Sequence, residues 1–504
     1  MKNNKSHTII IISLLFILSR ILIISSLTFI KTGPFSPDQD SMYRLSSNIT
    51  QVKINQPFES IYMVASADTP CKVNVFINQT NKRTLSISKS IQEFVIKLSK
   101  SDFKTGTPLS YIQFISNKPQ NGWKIWEMHT DTQSKTNIIL DDNQLKGFSE
   151  KLFLAKRNNN LNYVQESLMK WDAGWYRSII EEGYHFDGNY KKQQNVGFLS
   201  FYPGMAFVIH KFFRVTASTA LLIINNFLTF LSLFVLYYLS LNIIKDPYLS
   251  FIPSILLILN PFEIFLAAGY SEGSFIFFST LCLLFLFQKK YFYYALASGF
   301  LSGIRTVGII LPLLLFIDYL LIEKNELSIR SIVKLGCLSI LSMWGFLIHM
   351  AYMYYLFGDP LVYIKIQKEA WIIDNQTISN FLVKNIKDIF LNFDLTNPEQ
   401  IGLILFYGMI ILSSLYLLIL WRKQDRSSIL IALYSLLILL TPFFTRFYFN
   451  YSMGRYTLVS YPLFILLSNS RNKYKILLLF SWICISIFEL SVFSMRFAYW
   501  HTPF

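Results

Sequence analysis

Two hydropathy patterns divide the chain. Residues 8–30, TIIIISLLFILSRILIISSLTFI, are apolar for long enough to cross a hydrocarbon core of about 30 Å. The run is too long for a signal peptide and lacks a small-residue cleavage site, so it predicts an uncleaved first helix. From about 32 to 160 the chain turns polar, and Asn, Ser, Thr and Lys separate short runs: SIYMVAS, KVNVFIN, TLSIS, EFVIKL and YIQFIS. Their partial period-2 alternation, bounded by turn residues, predicts strands of a β-sandwich or jelly roll. Residues 141–185 read as amphipathic helices leading into KWDAGWY, at an interface that favours Trp and Tyr. Apolar segments then recur at about 216–243, 249–268, 272–288, 292–304, 306–322, 334–356, 401–421, 427–445, 455–469 and 475–495. Together with the first helix they predict about 11 spans, although the pair around Arg305 is short and could be one broken segment. The expected organisation is a first transmembrane helix (1–31), an inserted β domain (32–160) and a polytopic α-helical membrane domain (161–504).

Composition agrees with a chain built for lipid, since 53% of the 504 residues are hydrophobic and 15% charged. The net charge of +16 suggests nucleic acid only until the cations are placed. They are spread through short loops and form no single basic face, so no nucleic-acid partner is expected, and membrane topology accounts for them. Cys71, Cys282, Cys337 and Cys484 lie too far apart for a zinc spacing or a disulfide framework, and the histidines form no H-x-x-x-H pair.

The loop cations also orient the chain. Under strict alternation Lys2, Lys5, Lys245, Lys289, Lys290, Lys324, Arg330, Arg422, Lys423, Arg426, Arg471, Lys473 and Lys475 fall on one side, which the positive-inside rule makes cytoplasmic. The other side receives the β domain together with WDAGWY, FYPG (201–204), GYSEG (269–273), GIRTVG (303–308), FGDP (357–360) and SMGRY (452–456). This one-sided clustering predicts a single extracytoplasmic or lumenal site.

Asp172 sits among Trp171, Trp175 and Tyr176, aromatics that shape a partly dry pocket suited to a general base. The structural alternative is an interfacial aromatic belt with Asp172 capping a helix. Glu272 opens an apolar helix, where the helix dipole alone favours a carboxylate. Arg305, between Gly303 and Gly308, and Arg455, after Gly454, suit a phosphate because a guanidinium stays charged and donates two parallel hydrogen bonds. Snorkelling to lipid headgroups is the alternative for each. Lys365 and Lys368 are weaker candidates on a solvated loop. Arg20, inside the first helix, and Glu263, in NPFEIF, are costly in lipid; Arg20 either faces a polar interior or snorkels, and Glu263 suits an arginine partner.

In order along the chain, WDAGWYRSIIEEGY, FLSFYPG, NPFEIFLAAGYSEGSF, ASGFLSGIRTVG, FGDPLVYIKIQKEAW and MGRYTLVSYPLFIL resemble the PIG-V family of mannosyltransferases and its prokaryotic relatives. The resemblance covers about 165–470. It implies a GT-C type glycosyltransferase: a many-helix membrane fold, a polyprenyl- or dolichyl-phosphate sugar donor, a glycan or glycolipid acceptor, and a catalytic acid in the first outer loop. That acid maps to Asp172, and Glu272, Arg305 and Arg455 occupy the matching polar positions. Trp171, Trp175, Tyr176 and Tyr202 would shape the pocket or stack on sugar. Transfer would be an inverting one-step displacement needing no nucleotide and no cofactor, although the carboxylates leave room for a divalent metal. The inserted β domain and Glu263 depart from the eukaryotic pattern and favour a bacterial or archaeal plasma-membrane relative. Two other classes compete: a transporter or flippase for a lipid-linked saccharide, and a non-catalytic envelope assembly protein.

Overall fold

The computed structural model describes residues 2–29, 43–45, 49–54, 60–67, 71–77, 80–87, 92–97, 110–116, 123–130, 138–140, 162–322, 328–371, 378–391, 393, 397–423, 425–445, 450–469 and 473–498. The chain divides into two compact units, one of Thr32–Gly174 with Tyr499–His501, the other of Met1–Lys31 with Trp175–Ala498 and Thr502–Phe504. The part of the expected amphipathic helices at 141–161, and the C-terminal residues beyond 498, lie outside the described residues.

The first unit carries nine described strands: β1 (Tyr43–Leu45), β2 (Ile49–Ile54), β3 (Ser60–Ala67), β4 (Cys71–Ile77), β5 (Thr80–Ile87), β6 (Gln92–Lys97), β7 (Ser110–Ser116), β8 (Trp123–Thr130) and β9 (Ile138–Leu140). They form two sheets of order β1-β8-β3-β6 and β5-β4-β7-β2-β9, with antiparallel neighbours throughout. Period-2 patterning explains β4: Cys71, Val73 and Val75 are buried while Lys72 between them is exposed. Val73 pairs with buried Leu85 of β5, and on the opposite face Thr84 Oγ1 donates to Asn74 Oδ1 at 2.7 Å.

The helical elements run α1 (Lys2–Phe29), α2 (Asn162–Ser167), α3 (Asp172–Glu182), α4 (Phe201–Phe213), α5 (Ala217–Ile244), α6 (Ile252–Ile258), α7 (Ile264–Ala267), α8 (Glu272–Phe287), α9 (Tyr291–Ile304) and α10 (Leu311–Ile322). They continue as α11 (Ile329–Leu341), α12 (Trp344–Phe357), α13 (Val362–Ile366), α14 (Ile378–Leu391), α15 (Pro398–Lys423), α16 (Arg426–Thr445), α17 (Asn450–Val459), α18 (Leu463–Ser468) and α19 (Lys473–Ala498). Among the described residues five helices are long and apolar enough to cross a membrane, within α1, α5, α15, α16 and α19, and a sixth span results if α11 and α12, bent by 52°, count as one. The chain is therefore a multi-pass membrane protein, and among the described residues these long helices are fewer than the 11 apolar segments.

Local sequence explains the shortfall. The apolar run 249–268 breaks because Asn260 precedes Pro261, which disfavours helical backbone there, and Asn260 Oδ1 takes the Phe262 N–H at 2.9 Å to form a turn. The pair around Arg305 separates because Arg305 is extended (φ −146°, ψ 140°) between α9 and a 3-10 turn at Thr306–Ile310. Gly273 lets the start of α8 lie against α5, since a Cβ there would stand 2.2 Å from Thr229 Oγ1 and 2.5 Å from Asn225 Oδ1.

Candidate active site

The break between α6 and α8 leaves backbone groups at membrane depth that a continuous helix would have satisfied internally. Two neighbouring asparagines of α5 take that role. Asn225 Nδ2 donates to the carbonyls of Phe265 (2.9 Å) and Ala268 (2.7 Å), and its Oδ1 accepts the Gly273 N–H at 2.8 Å. Asn226 Nδ2 donates to the Ala267 carbonyl at 2.9 Å. Thus fixed, the segment presents Glu272 at the start of the 16-residue helix α8.

Glu272 is fully buried and is shared by two arginines. Arg305 Nη1 donates to its Oε1 at 2.5 Å, and Arg455 reaches the same oxygen through Nε at 2.7 Å and Nη2 at 2.6 Å. Glu272 Oε2 is buried without a hydrogen-bond partner. The Arg455 guanidinium also lies over the rings of Phe265 and Tyr270, 5.0 and 4.9 Å from their centroids, a seat that favours a cation and holds the fork in one plane. Both arginines are thus engaged by Glu272. Among these three side chains one carboxylate faces two guanidinium groups, at the end of α8 where the helix dipole is positive.

Tyr176 reaches this cluster, its hydroxyl donating to Ser271 Oγ at 3.2 Å, next to Glu272. Tyr176 packs edge-on against Tyr202 at 4.8 Å and Phe198 at 5.2 Å, and Trp175 stacks on Phe198 at 6.2 Å. Tyr202 is fully buried with its hydroxyl donating to the Leu221 carbonyl at 3.2 Å, so it backs Tyr176. Asp172 lies in the first turn of α3. Immediately before it, Trp171 holds a left-handed backbone (φ 58°), an outlier for a bulky side chain, in a turn closed by the Gly174 N–H to the Trp171 carbonyl at 2.9 Å. Such local strain costs of order 1–3 kcal/mol and clusters at functional positions. Lys170, two residues before Asp172, is fully buried.

Lys365 joins a separate cluster. Its Nζ and the Tyr190 hydroxyl both donate to Asp359 Oδ2, each at 2.8 Å. Burial pushes the Asp359 carboxyl up, but the hydrogen bonds from Lys365 and Tyr190 prevail and hold it below its ordinary value. Gln367 Nε2 donates to the Gly197 carbonyl at 2.6 Å, tying the same loop to the segment after α3.

Sequence reasoning passed over Ser271, Asn225, Asn226 and the fully buried His349, which packs edge-on to Tyr363 at 5.5 Å. Two adjacent asparagines inside the apolar run LLIINNFLTF were the available signal. Among the described residues no group of three or more His, Cys, Asp or Glu side chains is arranged to hold a metal ion.

A multi-pass helical protein with a buried acid and two arginines at the mouth of an apolar half-helix is a class defined by this geometry. Residues 130–370 match the model of the mannosyltransferase (PIG-V) family, which bears out the resemblance carried by the motifs. The match includes Asp172, Glu272 and Arg305 and ends before Arg455. GPI alpha-1,6-mannosyltransferase 2 of Rattus norvegicus is 25% identical over 196 residues, 35% of this chain, and the matched part spans 37% of that relative's length. Two solved structures are similar in part. ArnT from Cupriavidus metallidurans bound to undecaprenyl phosphate has TM-score 0.36 and 13% identity, covering 58% of this chain and 53% of that one. The archaeal oligosaccharyltransferase AglB from Archaeoglobus fulgidus, in complex with an inhibitory peptide and a dolichol-phosphate, has TM-score 0.35 and 11% identity, covering 71% and 53%.

Proposed function

We propose that the protein is an inverting membrane glycosyltransferase that moves a sugar, mannose by family, from a polyprenyl- or dolichyl-phosphate donor to a glycan or glycolipid acceptor on the extracytoplasmic face. The observation that carries this reading is the cluster at the start of α8 in which two arginines, Arg305 and Arg455, meet the single carboxylate of Glu272. A phosphate monoester or diester is the anion its charge and donor geometry suit. The acceptor hydroxyl attacks the anomeric carbon as the bond to the lipid phosphate breaks, and the phosphate leaves with the bonding electrons. Asp172 takes the hydroxyl proton. Arg455 and Arg305 stabilise the charge on the departing phosphate from positions fixed before the reaction, Glu272 holding both. Trp171, Trp175 and Tyr176 line the sugar pocket. No step calls for a nucleotide or a cofactor. In this reading the two sheets of the inserted unit are the layers of a β-sandwich that binds an acceptor glycan or a partner, and the membrane is a bacterial or archaeal plasma membrane.

The Arg455 side chain separates donor-phosphate binding from headgroup contact. Arg455→Lys keeps the charge and loses the planar fork, so it is expected to retain part of the transfer activity, with a raised KM for the lipid-phosphate donor. Arg455→Ala is expected to fall further. Free polyprenyl phosphate should compete with donor in the parent and less well in both variants. Parental kinetics in both, at matched amounts of monodisperse protein, would remove the phosphate from this cluster.

A further inference from the structure

The first helix also reaches the broken segment between α6 and α8. Arg20 of α1 donates through Nε to Asn226 Oδ1 at 2.6 Å, through Nη2 to the Leu266 carbonyl at 3.2 Å and through Nη1 to Ser19 Oγ at 3.2 Å, and it pairs with the fully buried Glu263. The guanidinium lies 4.4 Å from the Phe16 ring centroid. Its three remote partners all belong to, or hold, residues 259–271. Glu263 and Leu266 are in that stretch, and Asn226 donates to the Ala267 carbonyl. Leu266 adjoins Phe265, one of the two rings under Arg455. Tyr270, the other ring, precedes Ser271 and Glu272. From Arg20 to the arginine cluster the path is therefore a few bonded residues long.

An arginine in the middle of a membrane helix is costly, and a lone ion pair there is no better for stability than apolar side chains of similar size. A fork that also binds the Leu266 carbonyl, which Thr229 Oγ1 reaches only at 3.4 Å, and orients an asparagine does something an apolar pair does not. We propose that Arg20, with Glu263, is a positioning residue for the active site: it clamps residues 259–271 so that Phe265 and Tyr270 seat Arg455 and Glu272 stands at the start of α8. Its effect on turnover rests on the glycosyltransferase reading above; its effect on the segment does not.

Two variants of the full-length protein in lipid nanodiscs test the clamp. The double variant Arg20→Met/Glu263→Leu exchanges the pair for apolar side chains of similar size. Arg20→Lys keeps a cation for Glu263 but has no fork to reach Asn226 and the Leu266 carbonyl together. Amide hydrogen exchange, the midpoint of thermal unfolding, and kcat and donor KM in the transfer assay are measured for each. The expected result is faster exchange confined to residues 259–273, an unfolding midpoint near the parent's, and kcat lower by about tenfold or more, since small misplacements at a reacting centre cost this much.

Parental exchange over 259–273 with parental kcat in both variants overturns the proposal. So does activity that falls only in step with the unfolding midpoint, with exchange rising along α1 and α5 as well, for the pair is then a structural staple. If the double variant does not fold, Arg20→Lys decides alone by the same readings. A parent that transfers no sugar refutes the glycosyltransferase reading, while the exchange pattern still decides the clamp.

Discussion

Asp172→Asn is expected to lower turnover at least about a hundredfold, the lower end of what a general base contributes, with donor binding changed much less. Asparagine keeps the size of the side chain and much of its hydrogen bonding, but not the basic carboxylate that must accept the acceptor's proton. The structural alternative forecasts differently. Asp172 lies in the first turn of α3, where its charge is worth roughly 0.3–1 kcal/mol against the helix dipole, and asparagine is as good as aspartate at a helix start. If the residue serves only the helix, Asp172→Asn should show parental turnover and a stability loss no larger than that. Detergent-purified protein, checked for monodispersity and assayed at saturating donor and acceptor, distinguishes the two. Near-parental turnover would move the search for the base elsewhere.

Glu272→Ala should have the largest effect on stability. It leaves Arg305 and Arg455, with side chains 18% and 12% exposed, facing each other without their shared carboxylate. Removing one partner of a buried ion pair typically costs about 3–5 kcal/mol because the remaining charge stays desolvated. A shortened half-life of the monodisperse protein at fixed temperature is the expected reading. Added polyprenyl phosphate should restore more stability in this variant than in the parent, because a ligand that binds only the folded form stabilises by mass action and the site has lost its internal anion. Parental stability in Glu272→Ala, with no gain from the lipid phosphate, would mean that the arginines do not depend on Glu272.

Much of the architecture was legible because uninterrupted periodicity reports it directly. The runs SIYMVAS, KVNVFIN, TLSIS, EFVIKL and YIQFIS coincide with β3 to β7, while β1, β2, β8 and β9 were not singled out. In β8, WKIWEMHT, charged and aromatic residues blur the alternation. Among the long helices, α1, α5, α15, α16 and α19 follow their apolar runs. Where hydropathy continued across a backbone break, as at Asn260-Pro261, composition counted a span that the turn interrupts.

The candidate site was legible as a set of residues and not as a set of contacts. Arg305 and Arg455 lie 33 and 183 residues from Glu272, and Arg20 lies 243 from Glu263. No local window holds such a pairing; charge cost in lipid says only that each group needs a partner. That need was enough to suggest an arginine for Glu263. It did not reveal that Glu272 would serve two arginines at once, nor that Asn225 and Asn226 would carry the backbone between them.

The central claim is transfer of sugar from a lipid phosphate. Its most direct test gives nanodisc-embedded parent protein radiolabelled polyprenyl-phosphate mannose, or a nucleotide-activated mannose, with a panel of glycan and glycolipid acceptors. Label is expected on an acceptor from the lipid-phosphate donor alone, inverted at the anomeric carbon and reduced at least about a hundredfold in Asp172→Asn. Transfer from the nucleotide sugar alone, or the same rate of lipid-donor transfer in parent and Asp172→Asn, would contradict it.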